Sequence, residues 1–256
     1  MNLPMDDGPW ADAATRSLLT SIAKLCETVG ARGFSRFEDG VASFVSGGQI
    51  PTLNSVVVVS PTVDVADVSR LLDEVASTGL PYSVQARPST MELVTDLLTG
   101  RGMSVQFETP LMVRTSQTPP ASAANGLAVH ELGPGNIGRH VAVMAAGFEI
   151  PEDIFADVMK DKALELPDLR CYLGDVAGEP VATGIGMLAH DLVGVFNVAT
   201  PPSHRRLGYG TAITGRIVAD GLAAGARGAY LQSSAQGYAV YQRLDFYTVE
   251  RWPVWV

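Results

Sequence analysis

Seven consecutive residues have the makings of a phosphate cradle: Arg205, Arg206, Leu207, Gly208, Tyr209, Gly210 and Thr211 place two cations and two glycines in one short stretch. Glycine lets backbone approach a ligand with no Cβ in the way. The N–H groups at a helix start and the positive end of the helix dipole attract anions. An apolar run at 192–198 precedes the stretch and reads as a buried strand, while Ala212, Ile213, Ile217, Val218 and Leu222 follow at helical spacing. The glycines are therefore expected on a strand-to-helix turn, with Arg205 and Arg206 bringing charge to a bound phosphate and residues 207–211 bringing backbone donors.

What the loop lacks narrows its ligand. No lysine follows Gly210, so it is not a Walker loop, and Ile213 stands where a dinucleotide fingerprint needs its third glycine. A literal Gly-x-Gly-x-x-Gly does occur at Gly133, Gly135 and Gly138. A dinucleotide site would need an acid ending a second strand about 20 residues later, but Glu152 and Asp153 open a helix behind Pro151.

Arg205, Gly208 and Gly210 fit the pattern Arg-x-x-Gly-x-Gly, which resembles the acetyl-CoA pyrophosphate loop of the GCN5-related N-acetyltransferase (GNAT) family. Asn197, Val198, Ala199, Thr200, Pro201 and Pro202 resemble the family's fourth strand and its lead-in to that loop. Downstream, 231–234 and 237–246 resemble its fifth strand and fourth helix, except that Asp245 replaces the glycine of the closing Leu-Gly-Phe. An aspartate enters the left-handed conformation at a higher cost than glycine, so a strained helix end is expected there. The resemblance is specific over 192–246 and looser from Leu127 onward.

The resemblance implies acetyl transfer from acetyl-CoA as co-substrate directly to an acceptor, a primary amine of a small molecule, without metal. Tyr241 would be catalytic as proton donor to the departing thiolate, and the backbone N–H of Val198 would polarise the thioester carbonyl. Val198, Ala199, Thr200, Arg205, Arg206, Leu207, Gly208, Tyr209, Gly210 and Thr211 would bind the cofactor. Ser234 stands where the family often has an asparagine on the pantetheine arm. Where some members carry a glutamate base, this chain has Gly194. A non-catalytic acyl-CoA-binding or sensing protein is the alternative reading.

Composition sets outer limits. The 256 residues carry a formal charge of −9, which argues against nonspecific binding to nucleic acid or anionic membranes. Cys26 and Cys171 lie far apart with no metal-ligand spacing, so neither a disulfide framework nor a zinc site is expected. The acidic N-terminus and the lack of a long apolar run read as a soluble, cytoplasmic protein. Glu149, Glu152, Asp153, Asp157 and Asp161 form an acidic run that reads as a solvated helix face or as an attractor of a cationic amine. His130, His140, His190 and His204 read as structural. An oligomer is compatible with the sequence.

To position these groups the chain reads as α/β in a tandem GNAT-like arrangement. Residues 115–126, rich in Ser, Thr, Pro and Ala, form a linker between a first part, 1–114, and a second, 127–256. The second part is expected to hold a mixed central sheet flanked by helices. Its strands are read at 127–132, 171–175, 181–189, 192–198, 229–233 and 247–256, and its helices between 137 and 164, after Gly210 and up to Tyr241. The first part has no Arg-x-x-Gly-x-Gly and reads as a non-catalytic α/β unit, a degenerate relative of the same fold. Its helices are read at 11–29, 65–78 and 90–99, and its strands at 36–46, 55–60, 82–86 and 105–113.

Overall fold

The structure, a computed structural model, describes residues 8–120, 124 and 126–256. In chain order the elements are α1 (Gly8–Thr28), β1 (Phe34–Glu38), β2 (Val41–Val45), β3 (Asn54–Val58), α2 (Val65–Ala76), β4 (Ser83–Ala86), α3 (Met91–Gly100) and β5 (Val105–Arg114). There follow β6 (Ala128–Glu131), α4 (Ile137–Phe148), α5 (Glu152–Val158), β7 (Leu169–Val176), β8 (Glu179–Ala189), β9 (Leu192–Ala199), α6 (Tyr209–Ala223), β10 (Ala229–Gln232), α7 (Tyr238–Gln242) and β11 (Tyr247–Trp255). The described residues within 115–126 lie in neither helix nor strand. Two compact units result: residues up to Ser21 group with Leu111–Val249, and Ile22–Pro110 groups with Glu250–Val256. The division runs through α1, β5 and β11.

In the unit of Ile22–Pro110 and Glu250–Val256, β1, β2 and β3 are antiparallel neighbours, β3 and β4 are parallel, and the end of β11 runs antiparallel to β4. α2 begins where the Asp64 carboxylate accepts the Ala66 N–H at 2.8 Å, an N-cap. Its buried stripe, Val68, Leu71, Leu72 and Val75, shares a core with Val56, Val58 and Trp255.

The other unit holds the site. Here β5, β10, β9, β8, β7 and β6 lie side by side; only β9 and β10 are parallel, with α6 as the crossover that parallel neighbours need. Neighbouring residues of β8 point to opposite faces and show both covers. Gly184 and Gly186 leave room for Ile213 and Ile217 of α6, while Thr183 meets His140 of α4. This is a mixed sheet flanked by helices. Arg114, 2% exposed, donates to the carbonyls of Leu244, Ser116 and Thr118 at 2.9, 2.6 and 2.6 Å, tying the end of β5 to the turn after α7. Burial lowers its pKa.

Candidate active site

β9 ends at Ala199, and Pro201 and Pro202, which carry no N–H donor, turn the chain out of the sheet. One 3-10 turn, Pro202–His204, leads to Arg206 and Gly208, both left-handed at φ 67° and φ 84°. α6 begins directly after, and its first internal hydrogen bond runs from the Ala212 N–H to the Gly208 carbonyl at 3.0 Å. The N–H groups of Tyr209, Gly210 and Thr211 thus lie in the first turn, where a helix supplies no carbonyl of its own. Gly208 is needed for its backbone angle. Gly210 is different, because a Cβ there would lie 3.8 Å from Val198 Cγ1 and 3.9 Å from Thr200 Oγ1, with no protein atom in the way. The open space over Gly210 belongs to a cleft of about 900 Å³, a volume in the range of cofactor sites.

The cleft opens because β9 and β10 part. Their register runs only through Val193↔Ala229 and Gly194↔Tyr230, although β9 continues for five more residues. Beyond the split, β9 bulges: Ala199 faces Thr183 and Phe196 faces Ile185, so β9 takes three steps where β8 takes two. Asn197 sits in the bulge at φ 51°. Val198, Ala199 and Thr200 line one wall, and Ser234, Gly237 and Tyr241 line the facing one.

Gly194, at the position of the missing base, is closed to any side chain. A Cβ there would lie 2.4 Å from Phe196 Cε2 and 2.6 Å from Tyr230 Oη. Tyr230 itself is fully buried, hydrogen-bonded to Ser21 Oγ at 2.9 Å, and burial raises its pKa.

Tyr241 stands on α7 with its ring laid over Gly237, where a Cβ would come within 2.8 Å of Tyr241 Cε2. The ring meets Phe246 edge-on, centroids 6.0 Å apart. Burial pushes the phenol up to about 12, so it stays protonated throughout the neutral range. The turn that follows is closed by Asp245 at φ 63°, the left-handed aspartate expected in place of glycine.

A family model described as the Acetyltransferase (GNAT) family matches residues 143–246, from α4 through the cradle to Phe246. This stretch is a GNAT acetyltransferase domain. Among solved structures, a GCN5-related N-acetyltransferase from Kribbella flavida aligns with a TM-score of 0.67 at 19% identity, covering 96% of this chain and 94% of its own. Another from Sphaerobacter thermophilus gives 0.60 at 16% identity over 84% and 76% of the two chains. A tandem GNAT protein from the clavulanic acid biosynthesis pathway gives 0.55 at 12% identity over 98% and 95%. At such identities the likeness is one of fold, and it extends over nearly the whole chain. No curated protein sequence matches the chain.

In the GNAT domain all the residues expected around the cofactor line the cleft except Leu207, which is exposed beside it. Arg205 is tied back: its Nη2 donates to the Gly147 carbonyl at 2.7 Å and to Glu149 Oε1 at 2.8 Å, and its Nε to the Thr200 carbonyl at 3.3 Å. These bonds tie the cradle to the end of α4. Gly147 makes the approach close, since a Cβ there would meet Ala199 Cβ at 2.8 Å and Thr200 N at 2.9 Å. Ser234 Oγ accepts the Gly237 N–H at 3.2 Å, a bond that organises the start of α7.

The acidic run does not form one face. Glu149 is paired with Arg205 in the cleft, Asp157 lies 3.9 Å from Lys160, and Asp161 accepts the Ile137 N–H at 3.1 Å at the start of α4. The Gly-x-Gly-x-x-Gly at Gly133 follows β6, whose strand partner β7 is antiparallel, so there is no βαβ unit to make it a dinucleotide loop. His140 is buried with Nδ1 2.6 Å from Thr183 Oγ1, and Thr183 donates to the Tyr172 carbonyl, so the imidazole Nδ1 is the donor to Thr183. Burial lowers its pKa to about 4. His204 lines the cleft with Nδ1 2.9 Å from Ser203 Oγ. Gly147, Phe148, Ala235 and Gln236 also line it and carried no local motif, and Arg243 lines it from the motif stretch 237–246 without a role assigned from sequence. Among the described residues no cluster of His, Cys, Asp or Glu suits a metal ion, and no helix is long and apolar enough to cross a membrane.

Proposed function

We propose that the GNAT domain transfers an acetyl group from acetyl-CoA directly to a primary amine of a small molecule. The observation that carries this reading is the cradle: left-handed Gly208, first-turn N–H groups and open space over Gly210, all facing a cleft whose other wall holds Tyr241. The N–H groups of 207–211 would hold the pyrophosphate. The Val198 N–H would polarise the thioester carbonyl while the neutral amine attacks its carbon, and collapse of the tetrahedral intermediate breaks the C–S bond. Tyr241 would meet the departing thiolate with its hydroxyl. A phenol near 12 lies above a thiol near 8.5, so Tyr241 gives up its whole proton only when geometry helps, and otherwise steadies the thiolate by a hydrogen bond until solvent supplies one. The amine proton leaves through water.

Direct transfer is supported by the cysteines. Cys26 and Cys171 are buried, and burial pushes both thiols up to about 12, far from a thiolate nucleophile. The setting we propose is cytoplasmic and metal-free, with no nucleic-acid or membrane partner. Residues 1–114 would serve as a non-catalytic, degenerate GNAT-like unit joined through 115–126 to the catalytic part, 127–256. One observation favours the second reading, an acyl-CoA-binding or sensing protein: the base position at Gly194 is filled by Tyr230. Calorimetry with acetyl-CoA, followed by a screen of amines for release of free CoA thiol, tests both. Binding with thiol release supports transfer, binding without release across the library supports sensing, and no binding overturns both.

A further inference from the structure

Besides Tyr209 and Tyr241, five ionisable side chains line the cleft: Glu149, His204, Arg205, Arg206 and Arg243. Glu149 and Arg205 answer each other at 2.8 Å. The guanidinium groups of Arg206 and Arg243 are exposed, and neither has a hydrogen-bond or ion-pair partner among the described residues. A chain with a formal charge of −9 thus presents in this cleft two cations that no described residue answers.

Arg206 is also held in a costly conformation. Its φ of 67° is left-handed, where an L-residue with a Cβ is disfavoured by roughly 1–2 kcal/mol relative to the right-handed region. A glycine would adopt that angle freely. The arginine side chain makes no hydrogen bond or ion pair with a described residue that would offset this cost. Strain of this kind, kept at a turn that faces a cleft, is characteristic of ligand clamps.

We propose that Arg206 and Arg243 form a second anion subsite, separate from the backbone cradle, that takes the ribose 3′-phosphate of CoA. This rests on the acyl-CoA reading above. The cradle would answer the pyrophosphate with N–H groups, which leaves two exposed guanidinium forks for the one remaining phosphate of the molecule. Arginine suits a phosphomonoester because its planar donors reach two oxygens at once.

The test is calorimetry at fixed ionic strength with CoA and with 3′-dephospho-CoA, on the full chain and on Arg206→Gly and Arg243→Gln. A charge-assisted hydrogen bond contributes about 10- to 100-fold in affinity, so the unchanged protein should prefer CoA to its dephospho form by at least that factor. Each variant should lose affinity for CoA while binding dephospho-CoA nearly as before. Arg206→Gly should also melt no lower than the parent, because it relieves the strained turn. Equal binding of the two ligands by the unchanged protein overturns the subsite while leaving the acyl-CoA reading intact. Variants that weaken both ligands alike overturn it too, since they would mark a general attraction or a pyrophosphate contact. Binding of neither ligand by the unchanged protein overturns the acyl-CoA reading and the subsite with it.

Discussion

Tyr241 owes its place to small neighbours: Gly237 makes room beneath the ring and Phe246 braces its edge. Tyr241→Phe should therefore keep the fold and the affinity for acetyl-CoA while lowering single-turnover transfer by about 10²–10⁴-fold, the usual contribution of a positioned acid. Single-turnover transfer equal to that of the parent across pH would reduce the tyrosine to a packing aromatic. With the phenol near 12, transfer should show no fall from Tyr241 ionisation below about pH 11. His140 carries a separate pH dependence. Its folded pKa, near 4, lies below the ordinary 6.5, so the unfolded chain binds the proton more readily between those values. Stability is full above pH 6.5 and falls as pH drops toward 4, by about 3 kcal/mol at most. Urea unfolding of the parent and of His140→Gln at pH 7 and pH 5 measures this, and the variant should lose the acid-side decline. Tyr241 was legible because its motif is local. The block at Gly194 was not, because one of the two rings over it, Tyr230, comes from β10, and nothing in local pattern says that Phe196, two residues along β9, lies over the glycine.

At the scale of elements, the turn from β9 into α6 separates backbone demand from ligand demand. Gly208→Ala puts a Cβ on a left-handed residue and should cost roughly 1–2 kcal/mol of stability. Gly210→Ala meets only ordinary contacts and gains helix propensity, so it should melt no lower than the parent and yet lose acetyl-CoA affinity at least tenfold. Thermal denaturation beside calorimetry separates the two, and an unchanged affinity in Gly210→Ala would remove the cradle assignment. The strand, turn and helix here were readable from an apolar run, two glycines and a 3.6-residue period. The bulge at Asn197 was not, since an asparagine inside a strand pattern announces no extra residue. Arg205 was readable by its place in the motif, but its bonds to Gly147 and Glu149 were not, since they join residues 58 and 56 positions apart.

For the molecule as a whole, residues 127–256 alone should not make a stable binding unit. Leu111–Arg114 supplies the antiparallel neighbour of β10, and Arg114 ties down the turn after α7. The first half of α1 adds the Ser17 bond to the Ala189 carbonyl at 3.1 Å, the Ser21 bond to Tyr230 and the Trp10 ring under Arg227. A fragment without these leaves a strand edge and a buried tyrosine open to water, so no cooperative melting is expected. A soluble 127–256 fragment binding acetyl-CoA at parental affinity would overturn this. The alternation of helix and strand in each half was visible in periodicity, but contacts between α1 and strands nearly 200 residues later leave no trace in local pattern.

The order in which substitutions arrive matters at Gly194. Gly194→Glu as a first step drives a side chain into Phe196 and Tyr230 and disrupts the sheet, whereas Tyr230→Ala as a first step loses the Ser21 bond, opens a void and still leaves the Phe196 ring over Gly194. Each single step goes downhill, and a carboxylate gains room only when both rings are cut back with it. The three positions are locked together as alleles. A base cannot be introduced there one codon at a time without passing through a damaged protein.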